Sequence, residues 1–349
     1  MYERKETVRL KDIAEKLGIS IGTVQRALNN KGGYTAETQA RILEEAKRMG
    51  YIVNSAASAL RRNPILLGVV LPARGGRRKY FFNDIWAGIL QAEEELAIQN
   101  VQLLKFETES GLEEFKRLAS LQNLKGIITH EFKEPEINDI LSELSEKTIP
   151  IFSVDGDPEE NKQRSGFYIN VPNQGRLAAD VFMNMTKNTN GTIILMGGSK
   201  NHGRQMQRIS EFTSTLSNEM PHISVMEFHI TDNSEETYTL ILKLLNSIDS
   251  IAGMYAVSAV ETISMCKLLR QSGKDSRLIA IGTDMFESLI PFFNDRTLTA
   301  TVYQNPRYQS YQAVKMLSQM LISPTMTQSE IVIPASAVFR STARDFCAD

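Results

Sequence analysis

The chain has 349 residues, of which 42% are hydrophobic and 23% charged, a composition typical of a folded protein with more than one domain. No stretch approaches the roughly 18 uninterrupted apolar residues that a membrane span requires, and the charged N-terminus lacks the apolar region of an export signal. Cys266 and Cys347 do not have the spacing of a disulfide framework or a zinc site. We therefore expect an ordered cytoplasmic protein that needs no metal or other cofactor.

The net charge of −2 hides a difference between two parts of the chain. Residues 1–62 contain 12 Lys and Arg against 7 Asp and Glu, a net charge of +5, whereas the remainder has 27 against 34, a net charge of −7. A small basic segment ahead of a larger acidic body is typical of a nucleic-acid-binding head, although a solvated basic surface is the alternative.

Three short helices are predicted in the basic segment. The first has apolar residues at positions i, i+3, i+4 and i+7 and ends at Gly18, which tolerates a left-handed stop. Ser20 is expected to cap the second helix, and Thr35 the third, which ends at Gly50. The apolar residues expected to form one small shared core are Leu10, Ile13, Ala14, Leu17, Val24, Ala27, Leu28, Ile42, Leu43, Ala46 and Met49.

The outward face of the second helix is the candidate DNA interface. Two short helices joined by a turn place the second in the major groove, where side chains near its N-terminus reach base edges. Arg26 can donate two hydrogen bonds to guanine, and Ile21 can contact a thymine methyl group. An ordinary three-helix bundle with a polar face is the alternative. The candidate contacts on this face are Ser20, Ile21, Gly22, Thr23, Gln25, Arg26 and Asn29.

From residue 65 onward, short β-branched runs alternate with amphipathic helical patterns, which predicts parallel sheets covered by helices on both faces. The number of runs exceeds what one compact sheet usually holds, and the pattern restarts near residues 166–170, so we expect two doubly wound α/β lobes. Ligands of such sheets bind at the carboxyl ends of the strands, which makes the cleft between the lobes the predicted pocket. The predicted strands are 65–71, 101–106, 126–129, 150–154, 191–196, 223–228, 251–257 and 278–282, and the predicted helices include 84–98, 173–187 and 259–271.

The N-terminal segment resembles the headpiece of the LacI/GalR family of bacterial transcription regulators. The resemblance rests on VRLKDIAEKLGIS (8–20) and GTVQRALN (22–29), and it continues through residues 50–54. It implies a hinge helix that forms on operator DNA, in which each subunit of a dimer inserts Leu60 into the central minor groove. Gln25, Val53 and Ser58 depart from the usual pattern of the family. The resemblance adds Asn54, Ala57 and Leu60 to the candidate DNA contacts.

The body, nearly to residue 342, is similar to the core of the same family, which in turn resembles periplasmic sugar-binding proteins. The resemblance implies that Phe81 or Phe82 stacks on the apolar face of a sugar-like ring. It also implies that Arg208, Asp284 and Gln304 hydrogen-bond the hydroxyl groups of that ring. Roles as core aromatics, a surface charge and a helix N-cap are the alternatives. The segments that carry the resemblance are 80–82, 149–155, 175–179, 207–212, 281–284 and 299–306.

Two further positions complete the candidate effector site. Asp155 follows a predicted buried strand, although an Asx turn formed with residues 156–158 is an equal alternative. Ser258 stands where many relatives carry an asparagine. Residues 74–79 place four cations beside the predicted mouth of the cleft, so an anionic sugar derivative stays a candidate beside neutral sugars and cyclitols, and a solvated loop is the alternative. The candidate effector-binding residues are Phe81, Phe82, Asp155, Arg208, Ser258, Asp284 and Gln304.

The resemblance implies an all-α helix-turn-helix headpiece joined by a hinge helix to an α/β core of two doubly wound parallel-sheet lobes. The expected boundaries are 1–53 for the headpiece, 54–63 for the hinge, 64–342 for the core and 343–349 for a tail. Within the core, the N-lobe is expected at about 64–165 plus 297–323, and the C-lobe at about 166–296 plus 328–342.

The function that these features predict is that of a homodimeric regulator, a repressor by family default. It binds double-stranded operator DNA, has no membrane partner, and responds to a small sugar-like effector in the cleft. The alternative is a cytoplasmic carbohydrate-processing enzyme with a DNA-binding head. We expect no enzyme, because the sequence shows no nucleophile paired with a base and no cluster of metal ligands. The histidines are scattered along the chain, at His130, His202, His222 and His229.

Overall fold

A computed structural model describes residues 8–28, 32–49, 63–76, 79–132, 134–155, 165–187, 190–200, 203–230, 235–247, 250–274, 278–322 and 330–347. Within these ranges, a helical headpiece is followed by two α/β lobes. None of the helices in these ranges is long and apolar enough to cross a membrane. The predicted DNA contacts Asn29, Asn54, Ala57 and Leu60 lie outside the described residues.

The headpiece consists of α1 (Leu10–Leu17), α2 (Ile21–Leu28) and α3 (Ala36–Met49). Gly18 ends α1 with a φ angle of 67°, the left-handed conformation that the sequence predicts. Ser20 Oγ accepts a hydrogen bond from the Thr23 amide at 3.0 Å, and Thr35 Oγ1 accepts one from the Thr38 amide at 3.2 Å, so both predicted caps are confirmed. The buried core of the headpiece is Ile13, Ala14, Val24, Ala27, Ile42 and Ala46.

The two lobes are built from alternating strands and helices. The strands are β1 (Ile65–Leu71), β2 (Val101–Glu107), β3 (Leu124–Thr129), β4 (Ile151–Val154), β5 (Ser165–Ile169), β6 (Gly191–Gly197), β7 (Ile223–His229), β8 (Ile251–Ala256), β9 (Ile279–Thr283), β10 (Ala300–Tyr303), β11 (Glu330–Ile333) and β12 (Ser336–Phe339). The α-helices are α4 (Lys79–Leu96), α5 (Leu112–Ala119), α6 (Pro135–Glu146), α7 (Val171–Met185), α8 (Gly203–Glu219), α9 (Glu235–Ser247), α10 (Ala259–Ser272), α11 (Ile290–Asn294) and α12 (Pro306–Ile322).

Each lobe has one six-stranded sheet within the described ranges, and the two sheets have the same winding. The N-lobe sheet has the order β11-β5-β4-β3-β1-β2 and is parallel throughout. The C-lobe sheet has the order β12-β10-β9-β8-β6-β7, in which β12 runs antiparallel to β10. All eight strands predicted from the sequence are present, and so is the predicted pair of doubly wound lobes.

The strand pairing corrects the predicted lobe boundaries. A boundary at residue 166 places β5 in the C-lobe, but β5 pairs with β4 in the N-lobe sheet. The predicted segment 297–323 places β10 in the N-lobe, but β10 pairs with β9 in the C-lobe. Likewise, β11 pairs with β5 and belongs to the N-lobe rather than the C-lobe. In each lobe the chain therefore adds one more strand, β5 or β10, to the same sheet before it crosses to the other lobe.

Two close helix contacts determine where the site residues lie. A Cβ atom on Gly88 of α4 would lie 2.1 Å from the carbonyl oxygen of Arg307 in α12, so only glycine allows this approach. Similarly, a Cβ atom on Gly175 of α7 would lie 2.4 Å from the carbonyl oxygen of Arg208 in α8. The first contact anchors α4 in the N-lobe, and the second anchors α8 in the C-lobe. Both helices then direct side chains toward the space between the lobes.

Candidate functional site

The outward face of α2 carries the predicted DNA-contacting side chains in an accessible arrangement. Ile21 is 46% exposed, and Gln25 and Arg26 are also exposed. A chain of hydroxyl contacts runs along this face, from Ser20 Oγ to Thr23 Oγ1 at 2.9 Å and from there to Arg26 Nη2 at 3.4 Å. The guanidinium is therefore oriented by its own helix but stays open to solvent. This arrangement can present two parallel N–H groups to a base edge.

A cavity of about 400 Å³ lies between the lobes, at the carboxyl ends of their parallel strands. Its volume falls within the range of small-molecule sites in proteins. The structure brings all seven predicted effector-binding residues to this one cavity: Phe81, Phe82, Asp155, Arg208, Ser258, Asp284 and Gln304. Sequence reasoning did not assign its other lining residues to the site: His130, Gly198, Ser199, Arg204, Gln205, Ile230, Ala259, Val260 and Glu261.

Arg208 is the centre of a buried hydrogen-bond network on the C-lobe wall. The residue is only 4% exposed and extends from α8. Its Nη1 donates to the carbonyl oxygen of Val257, and its Nη2 donates to Gln174 Oε1 and, at 3.2 Å, to Gln304 Oε1. Its Nε has no hydrogen-bond partner among the described residues. A buried N–H group without a partner costs free energy, so this donor suits an acceptor on a bound molecule.

Asp284 continues this network after the end of β9. Its backbone has a φ angle of 67°, and its amide donates to the carbonyl oxygen of Val302 at 2.9 Å, which turns the side chain into the cleft wall. Gln304 Nε2 donates to Asp284 Oδ1 at 2.6 Å. Burial raises the pKa of Asp284 to about 6, while the Gln304 hydrogen bond and the charge of Arg208 oppose that rise. Asp284 is therefore an ionised acceptor at neutral pH.

The aromatic side chains lie on the N-lobe wall, in the first turn of α4. Phe81 is half-buried, whereas Phe82 is 2% exposed and belongs to the N-lobe core. The two rings meet edge to face, with their centroids 5.3 Å apart, and Phe82 makes a similar contact with His130 at 5.1 Å. Phe81 therefore has the more accessible ring for stacking, and Phe82 supports it from behind.

Ser258 enters the site at the N-cap position of α10, where its hydroxyl donates to Glu261 Oε2. Glu261 is 2% exposed. Sequence reasoning missed this buried carboxylate. The signal was present, because a serine followed three residues later by a glutamate is the pattern of a helix N-terminus, where the serine and the glutamate lie side by side.

Arg204 is the second residue that sequence reasoning missed. It lies one helical turn before Arg208, in the first turn of α8, and its side chain is 13% exposed. Its guanidinium crosses from the C-lobe to the N-lobe, where it pairs with Asp155 and, at 3.4 Å, with Glu131. The spacing of four residues from Arg208 is the signal that could have identified it, because such residues share a helix face.

Two of the four cations in the predicted basic loop, Arg74 and Lys79, lie within the described residues and are directed away from the cleft. Arg74 pairs with Glu107 and lies over the Trp86 ring, and Lys79 lies over the Tyr80 ring. Neither residue lines the cleft. Arg77 and Arg78 lie outside the described residues, as does His202. Among the residues that the structure describes, no group of three His, Cys, Asp or Glu side chains is arranged to hold a metal ion.

Both parts of the chain match families of known proteins. The family described as "Bacterial regulatory proteins, lacI family" matches residues 9–54, and the periplasmic binding protein domain family matches residues 68–324. Over 288 residues, the chain is 27% identical to the HTH-type transcriptional regulator AglR of Rhizobium meliloti, covering 80% of this chain and 76% of that protein. Over 117 residues, it is 32% identical to the ribose operon repressor of Bacillus subtilis, covering 33% of each.

Solved structures share the fold of the core. A putative LacI transcriptional regulator from Bacteroides fragilis superimposes with a TM-score of 0.68 at 16% identity, covering 81% of this chain and all of that chain. A solute-binding protein from Bacillus halodurans with bound myo-inositol superimposes with a TM-score of 0.69 at 17% identity, covering 81% of this chain and 97% of that chain. The chain therefore belongs to the periplasmic binding protein domain family through its core, carries a lacI-family DNA-binding domain at residues 9–54, and has HTH-type transcriptional regulators as relatives.

Proposed function

We propose that this transcription regulator is a homodimeric repressor whose operator affinity changes when a sugar-like ring compound occupies the cleft. The observation that carries the proposal is the buried network of Arg208, Gln304 and Asp284 on one wall of the cleft, opposite the ring of Phe81. A polyol presents adjacent donors and acceptors, which planar guanidinium, amide and carboxylate groups match pairwise. An aromatic ring can cover the C–H face of the same molecule.

The names of related proteins support this choice of ligand. A solute-binding protein with the same fold holds myo-inositol, and another is in complex with D-arabinose. Relatives in sequence include a ribose operon repressor and a sucrose operon repressor. All of these ligands and operons involve small hydroxyl-rich molecules, so we place the effector in the same class and propose that the protein binds it without converting it.

We propose that the relative orientation of the two lobes couples the effector cleft to the DNA-binding headpiece. Tyr80 of the N-lobe stacks on Phe286 of the C-lobe, with ring centroids 4.2 Å apart, and Arg204 pairs across the cleft with Asp155. Both contacts depend on how the lobes face each other. An effector that touches both lobes favours one orientation, and by linkage the operator and the effector influence each other reciprocally.

At the DNA, we propose the contacts that the sequence predicts. Arg26 reads a base edge from α2, and its neighbours on the same face hold phosphates and bases. The predicted hinge at residues 54–63 would insert Leu60 into the minor groove. A homodimer supplies two such headpieces, which fits an operator with two half-sites, since operator symmetry mirrors protein symmetry. We place this activity in the cytoplasm, where operator DNA is found.

The proposal is tested by operator selection followed by titration. Genomic fragments retained by the purified full-length protein are sequenced, and fluorescence anisotropy then measures the affinity for the enriched site with and without each member of a sugar and cyclitol panel. We expect one compound to change the operator affinity by at least about fivefold, the lower end of usual allosteric coupling. A well-folded sample that enriches no fragment would contradict the proposal. Chemical conversion of a compound would favour the enzyme alternative.

A further inference from the structure

The charges around the cleft limit what kind of molecule it can hold. Among the described residues that line it, the cations are Arg204 and Arg208, and the carboxylates are Asp155, Glu261 and Asp284. Glu131 adds a fourth carboxylate through its contact with Arg204. The lining therefore has more negative than positive charge, and an incoming anion would meet repulsion. Like charges brought together in a buried interface strongly weaken binding.

The Arg208 guanidinium already has neutral partners. Its two terminal nitrogens donate to the carbonyl oxygen of Val257 and to the side-chain amides of Gln174 and Gln304. A phosphate or carboxylate binds arginine best through two parallel N–H groups, and both terminal nitrogens are occupied. Nε is left as a single buried donor without a partner among the described residues. One N–H group suits a hydroxyl or ring oxygen.

Arg204 is held by the opposite lobe. Its Nη1 pairs with Asp155 Oδ1, and its Nη2 lies 3.4 Å from Glu131 Oε2. Asp155 directly follows β4, and Glu131 lies two residues after the end of β3, so both carboxylates lie at the ligand-binding edge of the N-lobe sheet. Without Arg204, two partly buried carboxylates would face the cleft with no cation from α8 beside them.

We propose, building on the function proposed above, that the cleft selects an uncharged polyhydroxylated ring over its anionic and cationic forms. Arg204 sets this selectivity because it pairs with both Asp155 and Glu131 at the N-lobe edge and offsets part of their negative charge. An anion is rejected because no guanidinium in the described lining offers a free bidentate face and the carboxylates repel it. A cation gains little from the excess of negative charge, because Arg204 repels it and pairs with Asp155 and Glu131. The other two carboxylates are also engaged, since Asp284 accepts from Gln304 and Glu261 accepts from Ser258.

Matched ligand sets test the selectivity. Calorimetry and thermal shift on the full-length protein compare glucose with its phosphate ester, glucuronate and glucosamine; galactose with its corresponding forms; and myo-inositol with inositol phosphate. We expect the tightest-binding ring in its neutral form to bind at least about tenfold more tightly than its charged forms. An anionic form that binds as tightly as the neutral one would overturn this inference and leave the proposed function intact. If no compound in the panel binds, the proposed function fails, and the inference fails with it.

A charge substitution tests Arg204 directly. In Arg204→Met, we expect the affinity for the amino sugar to rise relative to the neutral sugar by about tenfold or more, because Asp155 and Glu131 lose their cation. Arg176→Met is the control for the loss of a paired arginine, since Arg176 forms a more exposed ion pair with Glu211 at 2.6 Å outside the cleft. An unchanged affinity ratio in Arg204→Met would remove Arg204 from this role.

A rescue variant separates charge from packing. Combining Arg204→Met with Asp155→Asn and Glu131→Gln removes both carboxylates together with the cation. If Arg204 acts through charge, this triple variant loses the raised preference for the amino sugar that Arg204→Met shows, whatever its absolute affinity for either sugar. If the triple variant keeps the altered ratio of Arg204→Met, the effect comes from packing and the role assigned to Arg204 is wrong. Arg204→Gln replaces Arg204→Met if the latter does not show a cooperative unfolding transition.

Discussion

Two arginines, Arg26 and Arg208, show how differently the two sites of this regulator are built. Arg26 lies on the exposed face of α2, and its Nη2 is 3.4 Å from Thr23 Oγ1. Arg208 is 4% exposed and donates to three acceptors in the C-lobe wall. The first is open to solvent and therefore accessible to a partner from outside. The second is part of the protein interior.

This difference determines what a substitution at each site changes. Removing a side chain from the exposed site changes binding and leaves folding almost untouched, because exposed charges contribute little to stability. Removing a side chain from the buried network leaves other buried polar groups without hydrogen-bond partners. Both the free energy of unfolding and the effector affinity then decrease. Substitutions at the two sites test this contrast.

Arg208→Met is expected to have the largest effect. The substitution leaves the Val257 carbonyl and the Gln174 and Gln304 amides without their common donor, and truncation of one partner in a buried charged network costs about 2 to 5 kcal/mol. We expect loss of the effector response together with a lower melting temperature, while the affinity of the effector-free protein for its operator stays unchanged. Calorimetry with the identified effector, thermal unfolding and operator anisotropy measure the three quantities. A normal effector titration would exclude Arg208 from the site.

Arg26→Ala is expected to have the next largest effect, confined to DNA. Loss of a bidentate base contact costs about 1 to 3 kcal/mol on the selected operator and little on random DNA, since the substitution removes sequence reading. The melting temperature and the effector affinity should stay at wild-type values. Arg41→Ala, on α3, is the control for the loss of one positive charge. Equal weakening on operator and random DNA would show that Arg26 contacts phosphates only.

The same contrast explains which parts of the structure the sequence could predict. The exposed face of α2 could be predicted because short-range sequence signals determine the helices around it. These signals are a left-handed Gly18, a serine cap at Ser20 and apolar residues at helical spacing. The eight predicted strands follow β-branched or apolar runs of four to seven residues, which are also a local pattern. The lobes of β10 and β11 were predicted wrongly because the lobe of a strand depends on which sheet it pairs with, and a run of four residues does not encode that partner.

The cleft was predictable only in part. The segments that resemble the LacI/GalR family, together with Asp155 and Ser258, pointed to seven of its lining residues. Arg204 and Glu261 were missed because their importance depends on partners distant in the sequence or on burial. Arg204 acts on Asp155, which precedes it by 49 positions in the chain and lies in the other lobe. A charged residue on an amphipathic helix is exposed far more often than it is paired across a cleft, so the local pattern favoured a surface role.

The titration of Asp284 provides a pH test of the buried site. Its expected effect on effector affinity is smaller than the effect of Arg26→Ala on operator affinity. The pKa of Asp284 is raised to about 6 from 3.8, chiefly by burial, so the folded protein holds this proton more tightly than the unfolded chain does. The contribution of this group to stability is therefore largest at low pH and is lost as the pH rises through about 6. Effector affinity should change in the opposite direction, because the ionised carboxylate is the better acceptor for a hydroxyl group.

We expect effector affinity to fall about tenfold between about pH 7 and about pH 5, since roughly nine-tenths of Asp284 is protonated one unit below its pKa. Calorimetry across this range measures the change. Asp284→Asn should bind weakly at every pH and lose the dependence. Operator binding by the effector-free protein is the internal control, because the network lies outside the headpiece. A flat profile in the wild type would show that the effector does not contact this carboxylate.

Substitutions of Ser20 are expected to have the smallest effect. They distinguish a role in stabilising α2 from a role in contacting DNA. The Ser20 hydroxyl oxygen accepts a hydrogen bond from the Thr23 amide at 3.0 Å. Ser20→Ala should therefore lower the free energy of unfolding of the headpiece by about 1 kcal/mol, because the helix cap is lost. Ser20→Asp keeps an acceptor at the cap but adds a negative charge at the surface proposed to face phosphates. Hydrogen exchange of the α2 amides measures the cap, and operator anisotropy measures the contact. If Ser20 only caps the helix, Ser20→Asp has wild-type exchange and wild-type affinity. If Ser20 also faces the DNA backbone, exchange stays normal while affinity falls and its salt dependence changes.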